Sequence, residues 1–573
     1  MSVTISRALL LDTPRGALPQ LVSVHPNAGV AAAASSLRVD IRRFPWINRL
    51  AADYAFDGDR LSPFFSGDVR NPQAWQQVIA RAQAHPRQRD TLASLVDDQQ
   101  GRRAAPPAAR VATTRLRDPQ TVAIVTGQQA GLFGGPLFTV LKALTALQLA
   151  DVVRDTYGVP TVAVFWVDAE DHDWQEVNAC GVLDAEAALR TVSIEGEAPA
   201  AGCPIARVEL GPSIEATLDA LAAALPPTEF TPALLAELRA RYAPGRGMVD
   251  AFSRWLESLL GPRGLVVYES SDPRAKPLVA DLFCKELETA GATAELAATA
   301  GRALEALGYH AQVTPHPDSA ALFWVGDART PIRAAGDRLQ IGDRVETREA
   351  LASWARQHPE EFSPNVLLRP LVQDTLFPTV CYVAGPSELA YLAQLRTVYE
   401  AFGIPMPLIQ PRATATLVDA NAARFLSRGD VALESLRPQD ESALNALLEA
   451  ALPPSVEVAV DGVLRALEES VTVLAQEVAV IDPTLENAAR AALGRMQDDV
   501  KKLQAKVLQA AKRKDETLRR QFKHAQAQAF PGGHPQERIV SVVSFVNKYG
   551  PAVIDRLADD LTLDPGVHTL ITP

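Results

Sequence analysis

Short, continuous apolar runs alternate with longer segments of mixed apolar and polar residues along the middle of the chain. Short apolar runs rich in β-branched residues, TVAIVTG (121–127) and TVAVFWV (161–167), are typical of buried strands. The segment between them (136–158) is longer, has a proline near its start and a glycine after its end, and is predicted to form a helix. Strand, helix and strand in succession predict a βαβ unit with a right-handed connection, and therefore an α/β fold around a parallel sheet.

The same alternation continues downstream. GLVVYESS (264–271) and FPTVCYVAG (377–385) are predicted strands, and a predicted helix follows each of them. GYHAQV (308–313) and ALFWVG (321–326) are predicted to begin a strand-rich piece, which continues as a hairpin at residues 329–346.

After about residue 413 the pattern changes to long helices. Residues 456–480 and 485–522 are two predicted helices, separated by an Asp-Pro pair. The second helix has heptad spacing at Met496, Val500, Leu503, Val507 and Ala510. Two such helices predict an antiparallel coiled-coil arm, and an exposed arm predicts a homodimer. Residues 495–523 carry ten Lys or Arg against four Asp or Glu, which fits either a solvated face or a surface that binds phosphate or a partner.

Composition narrows the classes of function. The 573 residues carry a formal net charge of -12, so a general nucleic-acid binder is not expected. No apolar run is long enough to cross a membrane, and the stretch MSVTISRALLLDTPRG is too weakly apolar for a secretory signal. The four cysteines are far apart and form no CxxC pair, which argues against a zinc ribbon or a disulfide framework. We therefore expect a cytoplasmic protein with reduced thiols.

The glycine-rich turn VTGQQAGLFGGP (125–136) lies between the first predicted strand and its helix. A helix N-terminus of this kind offers free backbone N–H groups and the positive end of the helix dipole. Neither GxGxxG nor GxxxxGK[ST] is present, so recognition would come from neutral groups. The candidate substrate-binding residues are Thr126, Gly127, Gln128, Gln129 and Gly131. A tight turn whose glycines serve packing alone is the alternative interpretation.

The segment FWVDAEDHDWQEVN (165–178) follows the second predicted strand, so we expect it beside the glycine turn. It contains six ionisable side chains within nine residues: Asp168, Glu170, Asp171, His172, Asp173 and Glu176. These could hold Mg²⁺ or another divalent ion, could let Asp171 or Asp173 orient His172 as a general base, or could cap the next helix. Their mutual repulsion favours an amine-bearing substrate. Asn178, at the end of the segment, is a further candidate substrate-binding residue.

A second strand-to-helix turn begins GPSELAYLAQL (385–395), where the helix dipole again favours a polar ligand. Arg369 precedes this strand in the chain, and it would either bind a carboxylate or phosphate or pair with Asp374. The remaining candidate substrate-binding residues are Gly385, Pro386, Ser387, Glu388, Arg369, His310 and Arg412. For His310 and Arg412, as single residues, a purely structural role is the alternative.

Long motifs occur in order along the chain: VTGQQAGLFGGPLFTVLKA, FWVDAEDHDWQEVN, GYHAQV, FSPNVLLRPLVQDTLFPTVCYVAGPSELAYLAQL and FGIPMPLIQPRATATL. Together with DRLSPFF near the start and FPGGHPQERIVSVVSFVNKYGP near the end, they resemble the BshC family of bacillithiol-biosynthesis cysteine ligases. The resemblance runs almost from end to end and is weakest between about residues 180 and 260.

This resemblance implies a Rossmann-like parallel-sheet core with inserted connecting segments, an antiparallel coiled-coil arm and a homodimer. The core, with the N-terminal segment, is expected at residues 1–415 and includes an inserted helical region at about 180–260. The coiled-coil arm is expected at residues 416–530. A helical segment that packs back on the core is expected at residues 531–573.

The resemblance also implies a reaction, the last step of bacillithiol synthesis, in which cysteine is joined to the amine of glucosaminyl-malate. Amide formation from a free carboxylate needs activation, so ATP or another adenine nucleotide is expected, with Mg²⁺ as a candidate companion. His172 with Asp171 or Asp173 would be the base or the amine-binding group. Arg369 and Arg412 would bind the negative charge of malate or of phosphate.

A separate nucleotide site near the coiled coil is expected from the same resemblance, formed by Lys548, Tyr549 and Gly550, with Tyr549 stacking on adenine. The alternative interpretation of these residues is a surface helix end that stops at a glycine. The HIGH-type signature of nucleotidyl-transferring enzymes is missing from the chain. Two other functions stay open. One is a metal-dependent hydrolase or transferase built on the acidic segment, and the other is a non-catalytic coiled-coil dimer that binds a nucleotide.

Overall fold

The computed structural model describes residues 37–573 except residues 197, 451–453 and 515, so the amino-terminal stretch considered above lies outside the described residues. The strands are β1 (Leu37–Asp40), β2 (Val122–Gln129), β3 (Thr161–Asp168), β4 (Ala179–Leu183), β5 (Leu189–Ser193), β6 (Val266–Glu269), β7 (Ser319–Val325), β8 (Arg329–Ala335), β9 (Arg338–Ile341), β10 (Arg344–Thr347), β11 (Phe362–Pro364), β12 (Thr379–Ala384), β13 (Leu408–Pro411), β14 (Thr414–Leu417) and β15 (Val567–Ile571).

The α-helices are α1 (Arg49–Phe56), α2 (Pro72–Ala84), α3 (Arg89–Arg103), α4 (Pro107–Arg115), α5 (Phe138–Tyr157), α6 (Trp174–Val177), α7 (Ser213–Ala224), α8 (Thr231–Arg241), α9 (Met248–Leu260), α10 (Ala280–Glu288), α11 (Ala292–Ala306), α12 (Arg348–Gln357), α13 (Arg369–Leu376), α14 (Pro386–Leu392), α15 (Arg396–Phe402), α16 (Ala420–Arg428), α17 (Ser442–Ala450), α18 (Pro454–Ile481), α19 (Thr484–Lys514), α20 (Glu516–Ala529), α21 (Gln536–Ile539), α22 (Val542–Tyr549) and α23 (Val553–Asp560).

Five parallel strands form the centre of the molecule, in the order β13-β12-β2-β3-β6. All of β12 is buried, as expected of a strand covered by helices on both faces. Alternate residues of β2 belong to two different apolar clusters: Val122 and Ile124 to one, and Ala123 and Val125 to the other. The predicted α/β fold with a Rossmann-like parallel sheet is therefore confirmed.

The strand order reverses beside β2. Strands β3 and β6 follow β2 on one side, whereas β12 and β13 are added on its other side. Ligands of open α/β sheets bind at such a reversal, outside the carboxyl ends of the strands. In this sheet the reversal lies between the ends of β2 and β12, at Gln129 and Ala384.

Helix α5 connects β2 to β3 and forms the predicted βαβ unit. It ends at Gly158, whose φ of +66° closes the helix in the left-handed conformation that glycine adopts without strain. At its other end, the Leu137 N–H donates to the Val540 carbonyl at 2.8 Å. The carboxyl-terminal part of the chain therefore holds the start of this helix.

A second sheet is antiparallel, in the order β10-β9-β8-β7-β11. The predicted hairpin at residues 329–346 is observed as three successive strands, β8 to β10. The prediction of a strand at GYHAQV (308–313) is wrong. The Gln394 side-chain amide bonds both the N–H and the carbonyl of Val313, each at 2.9 Å. A side chain thus satisfies backbone groups that a strand would pair with a neighbour.

The insertion predicted at about residues 180–260 begins with the hairpin β4–β5 and continues as α7, α8 and α9. Helices α18 and α19 pack against each other as an antiparallel arm, and α20 returns to pack on α16. The last strand, β15, pairs with β1 and β14 in a three-stranded sheet. In the described part of the chain, no helix has both the length and the apolar character needed to cross a membrane.

Candidate functional site

A cavity of about 320 Å³ opens at the carboxyl ends of β2 and β12, where the strand order reverses. The predicted residues that line it are Gly127, Gln128, Gln129, Asp171, Arg369, Gly385, Pro386, Ser387, Glu388 and Arg412. It is also lined by Asp168 and Glu176 of the acidic segment and by residues without a predicted role, namely Phe138, Lys142, Trp166, Val366, Tyr382, Tyr391 and Arg538. The three sequence motifs meet here because parallel strands end at the same edge of a sheet.

The glycine turn after β2 is a packed structure. The Gly134 N–H donates to the Gly131 carbonyl at 3.1 Å, and the Gly135 N–H donates to the Leu132 carbonyl at 3.0 Å. A Cβ on Gly131 would lie 2.9 Å from Gly135 Cα, so packing requires glycine there. The N–H groups of Gly134 and Gly135 are therefore used within the turn, and Gly131 is not among the residues that line the cavity.

A buried lysine lies beneath the glycine turn. Lys142 belongs to α5, and its Nζ donates to the Gly127 carbonyl at 2.8 Å and to Gln128 Oε1 at 3.0 Å. Its third partner is the carboxylate of Glu388, with which it forms an ion pair. Sequence reasoning missed this residue, although a single charge inside the apolar run of α5 was a usable signal.

The Lys142–Glu388 ion pair joins the two strand-to-helix turns. Glu388 also accepts hydrogen bonds from the Gly385 N–H and the Tyr382 hydroxyl, each at 2.7 Å. Burial by itself would raise the pKa of Glu388, but Lys142 and these donors lower the pKa below its usual value. Glu388 is therefore a carboxylate that holds the cavity wall together.

Two carboxylates of the acidic segment face the cavity and share one amide donor. Gln129 Nε2 donates to Asp171 and, at 2.9 Å, to Glu176 Oε2. Asp173 instead accepts from the Glu176 N–H at 3.3 Å and caps α6. The structure therefore places Asp171 at the cavity and gives Asp173, a predicted catalytic residue, the role of a helix cap.

His172 is exposed and is not among the residues that line the cavity. Its Nδ1 lies 3.3 Å from Arg329 Nη1 and 3.6 Å from Asp171 Oδ1. The Arg329 side chain is only 7% exposed, lies 4.2 Å over the Phe323 ring and donates to the Pro364 carbonyl at 2.9 Å. A guanidinium can only donate, so Nδ1 is the acceptor in this contact and Nε2 carries the proton. His172, the predicted base, therefore lies outside the cavity, and its Nδ1 is engaged by Arg329.

The other two carboxylates of the segment have opposite environments. Glu170 forms an ion pair with buried Lys276, whose Nζ also donates to the Phe362 carbonyl at 3.0 Å, so this pair anchors the loop. Asp168, at the end of β3, lines the cavity and accepts no hydrogen bond within the described residues. Burial raises the pKa of Asp168 to about 6, although the nearby Arg369 favours the carboxylate.

Arg369 keeps its charge available to the cavity. It donates to Gln373 Oε1 at 3.2 Å and to the Tyr391 hydroxyl at 3.0 Å, which are neutral partners. Within the described part of the chain, no carboxylate lies within 4.0 Å of its guanidinium, and Asp374 accepts from Tyr399 instead.

Arg412 and Arg538 both line the cavity, but they differ in whether a carboxylate pairs with them. Arg412 donates to both oxygens of Glu537, at 2.6 and 3.1 Å, so its charge is already balanced. Burial would raise the pKa of Glu537, but Arg412 holds that pKa below its usual value. Arg538, on α21, is exposed and has no ion-pair partner among the residues that the structure describes. No pattern in the sequence distinguishes Arg538 from an ordinary surface arginine.

Several predicted residues lie away from the cavity. The Thr126 hydroxyl donates to the Val383 carbonyl at 2.9 Å and joins β2 to β12. Asn178 and His310 are not among the lining residues, and His310 is exposed.

The residues of the expected nucleotide site contact other residues of the protein. Lys548 Nζ lies 3.4 Å from Asp419 and 5.2 Å from the centre of the Tyr549 ring. Gly550 has a φ of +76°, and a Cβ there would lie 2.7 Å from the Phe230 ring. Across the described ranges, no group of three or more His, Cys, Asp or Glu side chains is arranged to hold a metal ion.

Comparison with known proteins covers almost the whole chain. The family described as "Bacillithiol biosynthesis BshC, N-terminal Rossmann-like domain" matches residues 37–413, and "Bacillithiol biosynthesis BshC, C-terminal coiled-coil domain" matches residues 415–573. A Salinibacter ruber protein named "Putative cysteine ligase BshC" is 38% identical over 91% of this chain and 96% of its own length. Proteins of the same name from Chlorobaculum tepidum and Koribacter versatilis are 32% and 31% identical, over 89% and 91% of this chain and 94% and 97% of their own lengths.

Proposed function

Since the chain belongs to the BshC family of bacillithiol biosynthesis, we propose that it is a cysteine ligase acting in that pathway. The proposed reaction joins the carboxyl group of cysteine to the amine of glucosaminyl-malate, as the last step of the synthesis. The observation that carries the proposal is the cavity itself. It contains carboxylates and unpaired arginines in one space, which suits substrates that carry both ammonium and carboxylate groups.

The outer part of the cavity suits glucosaminyl-malate. Asp171 and Glu176, bridged by Gln129, offer two carboxylate groups to an amine. The exposed Arg538 offers a cation to the malyl carboxylates or to a phosphate. An amine attacks only after losing a proton, and Asp171 is the carboxylate placed to accept it. Arg538 thereby takes the role expected of Arg412, whose charge is balanced by Glu537.

Activation of the carboxyl group is the part of the reaction that an adenine nucleotide would supply, because ATP provides the leaving group that a free carboxylate lacks. Arg369 and Arg538 are the cavity cations that fit phosphate charge, since Lys142 and Arg412 are paired. Lys548 and Tyr549 could serve a nucleotide only after Lys548 leaves Asp419 and the ring face.

The proposal includes a cytoplasmic homodimer. The arm exposes apolar side chains on both helices, including Val473 on α18 and Leu503 on α19, and these need a covering surface. A second copy of the arm is the surface that matches them best.

A reconstituted reaction tests the function. Purified protein is incubated with L-cysteine, glucosaminyl-malate, ATP and Mg²⁺, and the thiol product is detected by mass spectrometry. Release of AMP indicates an acyl-adenylate, and release of ADP indicates an acyl-phosphate. Omission of each substrate and the Asp171→Asn variant are the controls. Absence of product with every nucleoside triphosphate, from protein shown to be folded, would overturn the ligase proposal.

A further inference from the structure

One polar atom in the wall of the cavity is buried and unused. Trp166 lines the cavity and is 1% exposed, and its Nε1 has no hydrogen-bond partner within the described residues. The neighbouring ring atom Cδ1 lies 3.5 Å from the position that a Cβ would take on Gly127, which also lines the cavity. A buried N–H without a partner is costly, so this residue of the cavity wall carries an unused hydrogen-bond donor.

Two opposite charges lie beside this indole. Asp168 follows Trp166 by two positions in β3, so both side chains are on the same face of the sheet. Arg369 is the cation that most favours the charged form of Asp168, yet within the described residues the two groups form no ion pair. Within the described residues no donor bonds to Asp168, and the hydrogen bonds of Arg369 go to the neutral side chains of Gln373 and Tyr391. The space between them is therefore bounded by an anion on one side and by cationic and N–H donors on the other.

We propose that Trp166, Asp168 and Arg369 form the binding site for the ammonium and carboxylate groups of a free α-amino acid. Asp168 receives the ammonium group, and Arg369 with the Trp166 N–H receives the carboxylate. This inference rests on the proposed function, in which the amino acid is cysteine.

The arrangement has a chemical consequence for that reaction. A second cysteine molecule could offer its amine to the activated carboxyl group in competition with the amine of glucosaminyl-malate. One cysteine whose two charged groups are bound by Asp168 and Arg369 is held with its carboxyl group at a fixed position. The amine that attacks is then the one bound at Asp171 and Glu176, where the second substrate is proposed to bind.

Binding measurements on the full-length wild-type protein test the inference without any turnover. Isothermal titration calorimetry, under reducing conditions, compares L-cysteine with three analogues: cysteamine, 3-mercaptopropionate and N-acetyl-L-cysteine. The first lacks the carboxylate, and the other two lack the ammonium group. Each loses a charge-assisted contact, so we expect each to bind at least about tenfold more weakly than L-cysteine.

Variants assign the groups individually. Asp168→Asn is expected to weaken L-cysteine binding by about tenfold or more and to leave 3-mercaptopropionate unchanged. Arg369→Gln is expected to weaken 3-mercaptopropionate more than cysteamine. Trp166→Phe removes the indole N–H and is expected to weaken L-cysteine binding a few-fold. Asp173→Asn, a helix cap in the same loop, is the matched control and should bind as the wild type does. If a variant does not fold, the binding of the three analogues to the wild-type protein still tests the proposed amino-acid site.

The outcomes separate this inference from the proposed function. L-cysteine selectivity without any ligation product would support the site and reject the ligase. Ligation by a protein that binds N-acetyl-L-cysteine as well as L-cysteine, or whose Asp168→Asn variant binds L-cysteine normally, would reject the site and keep the ligase. Loss of glucosaminyl-malate binding alone in Asp168→Asn would also reject it. The site would also be rejected if L-cysteine did not bind to the protein alone and did not bind in the presence of a non-hydrolysable ATP analogue and glucosaminyl-malate.

Discussion

Asp168 and Asp171 lie three positions apart on one loop and have different partners. Asp171 accepts hydrogen bonds from the Gln129 amide and, at 2.7 Å, from the His172 N–H, with Arg329 nearby. Asp168 has no such donors, and burial raises its pKa to about 6. Hydrogen bonds to a carboxylate stabilise its charged form, whereas burial without them destabilises it. Asp171 therefore has hydrogen-bond partners within the protein, whereas ionisation of Asp168 is costly until a cation binds beside it.

Replacement of Asp171 tests which member of the acidic segment meets the amine. Asp171→Asn is expected to lower kcat/KM by about 10²-fold or more, because it removes the proposed proton acceptor. His172→Ala is expected to lower it only a few-fold, since His172 is outside the cavity and its Nδ1 is engaged by Arg329. Steady-state product formation measures both. A larger loss for His172→Ala than for Asp171→Asn would restore histidine as the base.

Asp168 also predicts a dependence of stability on pH. Its ordinary pKa is 3.8, and the folded value is about 6, so between these values the folded state binds more protons than the unfolded state. Stability should therefore fall as pH rises through this window. Asp168→Asn removes the free-energy cost of ionising a buried carboxyl group. We expect the variant to melt at a higher temperature than the wild type, and we expect this difference to be larger at pH 7.5 than at pH 5. An equal or lower melting temperature for the variant at pH 7.5 contradicts this expectation.

At the scale of elements, a buried ion pair holds α5 to the turn that begins α14. Removing one member of such a pair leaves an uncompensated buried charge, which typically costs 3–5 kcal/mol. Lys142→Met is expected to destabilise the protein by about 3 kcal/mol. Glu388→Gln should cost less, because Lys142 keeps the Gly127 carbonyl and Gln128. Urea denaturation of both single variants and the double variant measures the coupling, and additive losses would argue against the pair.

The glycine turn gives a second prediction at this scale. Gly131→Ala is expected to destabilise by about 1–3 kcal/mol, because the new Cβ meets backbone that cannot move aside. Gly101→Ala, in α3, is the matched control, since a Cβ there meets no atom within 4 Å. It should be neutral or stabilising by up to about 1 kcal/mol, as expected for alanine in a helix. Thermal melts that rank the two variants in the reverse order would refute a packed turn.

At the scale of the whole molecule, the arm predicts self-association. Leu503 is 61% exposed, and Val507 follows it by four residues on the same apolar stripe of α19. The double variant Leu503→Glu, Val507→Glu should sediment with the mass of one chain, while the wild type sediments with the mass of two. Val111→Glu replaces an exposed apolar residue of α4 and serves as the control. A wild-type protein of single-chain mass at micromolar concentration would count against the dimer.

The sequence by itself determined the elements and their order. Short apolar runs and helical periodicity are local properties of a sequence, and they predict β2, β3, β12, α5 and the arm. Parallel strands then bring three polar turns to one edge of the sheet. Only the tertiary structure decided which charges face a ligand. Arg412 is balanced by Glu537, which lies 125 residues away, and Arg538 reaches the cavity from the far end of the chain. Whether a charge is paired depends on distances in space, and no local pattern carries that information.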